Sequence, residues 1–166
     1  MQKIIGSIIV LIASAAIGFE KSRELQIHVN EQETLKHIFV LLKKEMQYTR
    51  DSIPELLMKI SKKTEGKYSE WLRELADDLH HFKHGTFEDV WNCSIEKWFR
   101  ESQLTKEEKE ELCQVGKSLG YIEVIDIYLE QLEVSIQRTR EESKNKKKLY
   151  QSMGILGGIF LVIVFF

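Results

Sequence analysis

The chain has 166 residues, 43% of them hydrophobic, with 24 Lys and Arg against 26 Asp and Glu, for a formal net charge of -2. That balance argues against nucleic-acid binding, which needs a surplus of cations to neutralise phosphates. A single proline, nine glycines and no alternating apolar pattern argue against a sheet and point to an all-α fold.

The first element is apolar. Ile4 to Phe19 carries no charge, and as a helix rising about 1.5 Å per residue it reaches about 24 Å, a little short of a hydrocarbon core. Lys3 and Lys21 at its ends can snorkel to lengthen it, so residues 4–19 are expected to form a transmembrane helix. Lys3 and the small residues Ala13, Ser14 and Ala15 also fit a signal peptide, whose cleavage would leave an exported helical binding protein. The apolar run continues through Ala16, Ile17, Gly18 and Phe19, which suits an uncleaved anchor better.

Between the anchor and the C-terminal apolar run lie about 125 residues, enough for one small domain. Leu35, Ile38, Leu42 and Met46 step along one face of a helix from about Glu31 to Tyr48. Ser52 with Glu55 reads as a capping box, with Pro54 in the first turn where its missing donor costs nothing. "KKTEGK" is a turn. Trp71, Leu72, Leu75, Leu79 and Phe82 form the next apolar stripe, which ends at Gly85. Thr86 with Asp89 opens a helix carrying Val90, Trp91, Ile95, Trp98 and Phe99. Thr105 with Glu108 opens another, whose Leu112, Val115 and Leu119 lead to Gly120 as a stop. Trp71, Trp91 and Trp98 are expected in the core.

From Tyr121 the pattern lengthens. Ile122, Ile125, Leu129, Leu132 and Ile136 keep three-four spacing, and helix-favouring residues continue to Lys148 without a breaker. Two heptads are too few for a free coiled coil, so this helix is expected to be one long wall of a bundle. Residues 29–148 then form a helical domain and 149–166 a second transmembrane helix, with Tyr150 at the interface. The basic collar Lys144, Lys146, Lys147 and Lys148, with Arg138 and Arg140, faces only Lys3 on the far side. The positive-inside rule therefore places the domain in the cytoplasm, with the collar against anionic lipid headgroups.

Little of the sequence reads as chemistry. His80 and His84 have the i, i+4 spacing of zinc ligands, with Asp77 and His81 close by, so a membrane-tethered metal enzyme is one reading. A solvated helix end explains the same residues, and no metal site is assigned. "VGKSLG" fails as a phosphate loop because Glu111 stands where the first glycine belongs, inside an amphipathic helix. Cys93 and Cys113 are single thiols without metal spacing, expected reduced. No catalytic residue and no cofactor is expected. Gly154 and Gly158 form a G-x-x-x-G that lets membrane helices approach closely.

Taken in order, "GFE" at Gly18–Glu20, Tyr48 with "IPELL" at Ile53–Leu57, "FEDVW" at Phe87–Trp91, "LT" at Leu104–Thr105, "SLG" at Ser118–Gly120 and the ending "KLYQSMGILGGIFLVIVFF" resemble the stage III sporulation protein AB family of endospore-forming bacteria, over essentially the whole chain. The resemblance implies a cytoplasmic helical domain similar to the inner-membrane platform proteins of type II secretion and type IV pilus systems. It further implies a place in the channel complex joining mother cell and forespore, beside a secretion-type ATPase, the stage III sporulation protein AA.

Overall fold

Helix starts in this chain are written locally. The computed structural model describes the backbone of residues 2–81 and 86–165 and the side chains of residues 23–81 and 86–146. Among the described residues there are six helices and no strand: α1 (Gln2–Tyr48), α2 (Ile53–Ser61), α3 (Gly66–His80), α4 (Phe87–Phe99), α5 (Lys106–Gly116) and α6 (Ile122–Phe165). All three expected capping pairs are formed. The backbone N–H groups of Ser52, Thr86 and Thr105 donate to Glu55, Asp89 and Glu108 at 2.9, 2.8 and 2.8 Å. In α4 and α5 the threonine hydroxyl in turn accepts from the residue three positions on, at 3.2 Å. Each such cap is worth about 1 kcal/mol. Gly66, within the expected turn, has φ 63, a left-handed conformation that glycine adopts without strain.

Two expected boundaries move. The N-terminal apolar stretch and the helix expected from Glu31 are one helix, α1, because "EKSRELQIHVN" between them contains no breaker. Helix α5 stops at Gly116 rather than Gly120, and residues 117–120 form a turn. There the bonding tightens to i→i+3, with Lys117 and Ser118 donating to Gln114 and Val115 at 3.1 Å. Among the described residues no helix is long and apolar enough to cross a membrane. The expected spans 4–19 and 149–166 lie outside the residues whose side chains are described, as do Phe82 and Gly85.

The chain divides into two compact units, residues 30–136 and residues 1–29 with 137–166. In the first, α1 and α6 run antiparallel, tied by Lys36–Glu133 and Lys43–Asp126. The buried core draws Leu35, Ile38, Phe39 and Leu42 from α1, and Leu56, Leu57 and Ile60 from α2. Leu72 and Leu75 enter from α3, and Ile125, Tyr128 and Leu132 from α6. Its centre is aromatic: Trp71 meets Phe99 edge-on at 5.0 Å and Trp91 at 6.0 Å, while Phe39 meets Tyr128 at 4.7 Å. Such pairs add about 0.5–1.5 kcal/mol beyond the area they bury. Both buried indoles are satisfied, Trp71 Nε1 donating to Ser94 Oγ and Trp91 Nε1 to the Leu112 carbonyl, each at 2.9 Å. Trp98 departs from the expectation and is only partly buried against this core.

In the second unit, Val29 and Thr139 are buried and Ile27 is exposed. Glu142 lies 3.6 Å from Arg138 and 3.5 Å from Lys146, one helical turn to either side. These exposed pairs contribute a few tenths of a kcal/mol each.

Candidate interaction surface

The residues singled out for chemistry are dispersed. His80 ends α3 and His81 caps it, both exposed, with His81 Nδ1 2.9 Å from the Asp77 carbonyl. His84 lies outside the described residues, and among those described no group of three or more His, Cys, Asp and Glu could hold a metal. Cys93 is exposed on α4 and Cys113 half-buried on α5, both as free thiols. Burial, with Glu110 and Glu96 nearby, pushes the Cys113 thiol up, so it stays protonated. In the collar, Lys144 is exposed and Lys146 pairs with Glu142. The side chains of Lys147 and Lys148 lie outside the described residues, as does any packing at Gly154 and Gly158.

The geometry instead brings together residues that sequence reading passed over. Glu31 and Gln32 are neighbours on α1, exposed by only 7% and 0%. Glu31 pairs with Lys67 at the start of α3 and accepts the backbone N–H of Gln103 at 2.8 Å, which pins the α4–α5 connection to α1. Gln32 Nε2 donates to Glu108 Oε1 and lies 2.8 Å from Ser135 Oγ, while the Ser135 hydroxyl donates to the same Glu108 oxygen at 2.6 Å. Glu108 Oε2 meanwhile caps α5 by accepting from Thr105 N. One buried carboxylate thus fixes α1, α5 and α6 together. Its burial is offset because several donors meet it at once. A signal was present in the sequence: Gln32 sits three residues before Leu35, on the same apolar stripe.

The second feature is an open groove of about 790 Å³ between α4 and α5. Both helices line it with charges of both signs, Glu88, Glu96 and Arg100 from α4 and Lys109, Glu110 and Lys117 from α5. At one end Lys117 reaches across to Glu88 at 3.4 Å, and on α5 itself Lys106 holds Glu110 at 3.6 Å. Asn92 Oδ1 is shielded from solvent and meets no hydrogen-bond donor among the described residues.

Among the described residues the chain is thus an all-α bundle with a buried polar tie and an open groove lined by charged side chains. Residues 3–166 match the family model described as stage III sporulation protein AB, and the chain belongs to that family. It is similar to "Stage III sporulation protein AB" of Bacillus subtilis (strain 168), being 23% identical over 170 residues that cover 99% of this chain and 99% of that one. No solved structure matches it. The family is described as a sporulation protein rather than as an enzyme, and membership supports a role in sporulation.

Proposed function

We infer that this protein is a non-enzymatic, membrane-anchored platform in a secretion-like channel complex between mother cell and forespore. In this reading residues 4–19 and 149–166 are the anchors, and residues 29–148 stand in the mother-cell cytoplasm. There they bind a secretion-type ATPase, the stage III sporulation protein AA, and couple it to the membrane components of the channel. The observation that carries the reading is the family match over residues 3–166, which takes in both terminal apolar stretches as well as the bundle. The rigid tie at Glu108 supports it, because a platform must hold its surfaces in fixed register, and buried polar groups serve register best. The basic collar and Gly154–Gly158 would then set orientation and helix packing in the bilayer.

The test is complementation of a strain lacking the gene, together with co-purification of the full chain with the ATPase. Wild-type protein should restore sporulation and retain the ATPase. Replacing Gly154 and Gly158 with leucine should leave the bundle folded and impair sporulation. Full activity of a fragment lacking both terminal stretches would remove the platform mechanism.

A further inference from the structure

Leu35, Lys36 and His37 on α1 repeat one heptad later as Leu42, Lys43 and Lys44, and on α6 Ile125, Asp126 and Ile127 repeat as Leu132, Glu133 and Val134. In each triplet the first residue is buried and the second reaches the other helix, through Lys36–Glu133 and Lys43–Asp126. A further turn of about 100° carries the third residue away from the core. Because α1 and α6 are antiparallel, the third residues of both helices emerge on one side. That side holds Val40, Ile127 and Val134, exposed by 44%, 58% and 63%. It is also two-toned. His37 and Lys44 stand on α1, one turn to either side of Val40, while Glu123 and Glu130 stand on α6, one turn to either side of Ile127, all four exposed. Between Ile122 and Ile136 α6 carries no basic residue at all. The acids of α1 after Gln32 are Glu33, which already has an interaction of its own, and Glu45, which pairs with Lys63.

We propose that this face is closed by a second copy of the chain, α1 of each copy lying on α6 of the other about a two-fold axis parallel to the helices. Such a face is complementary to itself, as an isologous dimer requires. Lys43 stands level with Asp126 and Lys36 with Glu133, and the axis preserves these levels. Lys44 of one copy therefore meets Glu123 of the other, His37 meets Glu130, and Val40 enters between Ile127 and Val134. A two-fold axis across the helices would instead lay α1 on α1 and α6 on α6, like charge on like. The parallel axis also brings residues 30 and 136 of both copies to one end, so all four chain segments beyond them leave from the same side. Two copies anchored in one membrane need that arrangement, although the charges choose the axis without it. From Glu33 to Gln47 the face is about 22 Å long and two helices wide, at the small end of specific interfaces, so the association is expected to be weak.

The experiment measures dimerisation of the purified full-length chain in detergent micelles by sedimentation equilibrium. Lys44→Glu should weaken the dimer about tenfold, because the axis counts each contact twice and turns both attractions into repulsions. Glu123→Lys should do the same, and the two together should restore the wild-type affinity. Ile127→Asp with Val134→Asp should leave monomers, and circular dichroism checks that the bundle is intact in every variant. The axis is read by oxidation of chains carrying Cys93→Ser and Cys113→Ser. A chain with Lys44→Cys and a differently tagged chain with Glu123→Cys should form the mixed disulfide in preference to either same-site disulfide. A monomeric wild type, a dimer that withstands Ile127→Asp with Val134→Asp, a double charge reversal that rescues nothing, or same-site disulfides in excess would each overturn the proposal. None of these readings needs sporulation or the ATPase, so the dimer and the platform fail separately.

Discussion

The indole of Trp91 lies directly on the bare backbone of Gly116: a methyl group there would sit 2.2 Å from Cδ1 and 2.5 Å from Cγ, inside van der Waals contact. The same ring donates to the carbonyl of Leu112, one turn earlier on α5. Glycine at this position, the last residue of α5, lets a tryptophan from α4 approach the backbone of α5.

Gly116→Ala therefore runs against ordinary helix propensity. Alanine in a helix is normally favoured over glycine by up to about 1 kcal/mol. Here the added methyl displaces a fully buried ring, and overpacking of this kind costs about 1–3 kcal/mol. Denaturant melts should show net destabilisation that disappears when Trp91 is first replaced by leucine. A more stable Gly116→Ala protein would mean the contact is not there.

This contact also marks where sequence reading stops. Ser52 with Glu55, Thr86 with Asp89 and Thr105 with Glu108 are three residues apart, so their chemistry is visible in any short window and their helix starts were legible. Leu35, Ile38 and Leu42 were legible for the same reason, since they repeat with the helix period. The close approach at Gly116 depends on Trp91, 25 positions away in the chain, and the tie at Glu108 on Gln32, 76 positions away. No local pattern carries that information. Trp98 was expected in the core because of its type, but its place at the edge is decided by neighbours on another helix.

Stability should follow a plateau with two shoulders. On the acid side, the backbone N–H of Ser52 holds Glu55 below its ordinary 4.5, and that of Thr86 holds Asp89 below 3.8. Hydrogen bonds from Lys63 and Lys59 do the same for Glu45 and Asp51. Groups with depressed values stabilise the fold above their ordinary pKa and lose that contribution as the pH falls through the folded one. On the alkaline side, burial raises Tyr68 above its ordinary 10.0, reinforced by Glu31, and burial raises Cys113 above 9.0, reinforced by Glu110 and Glu96. That stability is present below the ordinary values and is lost as the pH rises past them. Thermal melts should thus be flat between about pH 5 and 8.5 and fall on both sides. Tyr68→Phe should be nearly neutral at pH 7, because the hydroxyl has no hydrogen-bond partner among the described residues. It should also make the alkaline fall shallower, and an unchanged alkaline limb in Tyr68→Phe would remove this residue from the account.

The proposed membrane orientation makes a separate prediction. In a chain with Cys93→Ser and Cys113→Ser, a Lys117→Cys probe should resist a membrane-impermeant thiol reagent until the membrane is opened. Replacing Lys144, Lys146, Lys147 and Lys148 with glutamine removes most of the positive-inside signal and should raise labelling from outside. Full external labelling of the unaltered collar would reverse the arrangement.

The tie at Glu108 makes the last prediction, and it separates two meanings of a buried charge. Glu108→Ala removes the cap acceptor of Thr105 and leaves one of the two Gln32 Nε2 N–H groups without its acceptor, the other still facing Ser135 Oγ, in a site with 0% exposure. Losing a cap costs about 1 kcal/mol and an unsatisfied buried donor about 1–3 kcal/mol, so the single substitution should destabilise by about 2–4 kcal/mol. If the tie existed for stability, making the site wholly apolar would be as harmful. Replacing buried polar partners together by apolar groups of similar shape is instead often nearly neutral. Glu108→Leu with Gln32→Leu and Ser135→Ala should therefore recover much of the lost stability, less the cap. What it should not recover is register. With the buried bonds that join α5 to α1 and α6 gone and only the exposed Lys36–Glu133 and Lys43–Asp126 pairs left between α1 and α6, α5 can slide, and a platform whose surfaces slide cannot hold a partner in place. The triple variant should melt near the wild-type temperature yet show extra amide resonances from α5 and fail to restore sporulation. A triple variant that sporulates normally would reduce the tie to an ordinary piece of core.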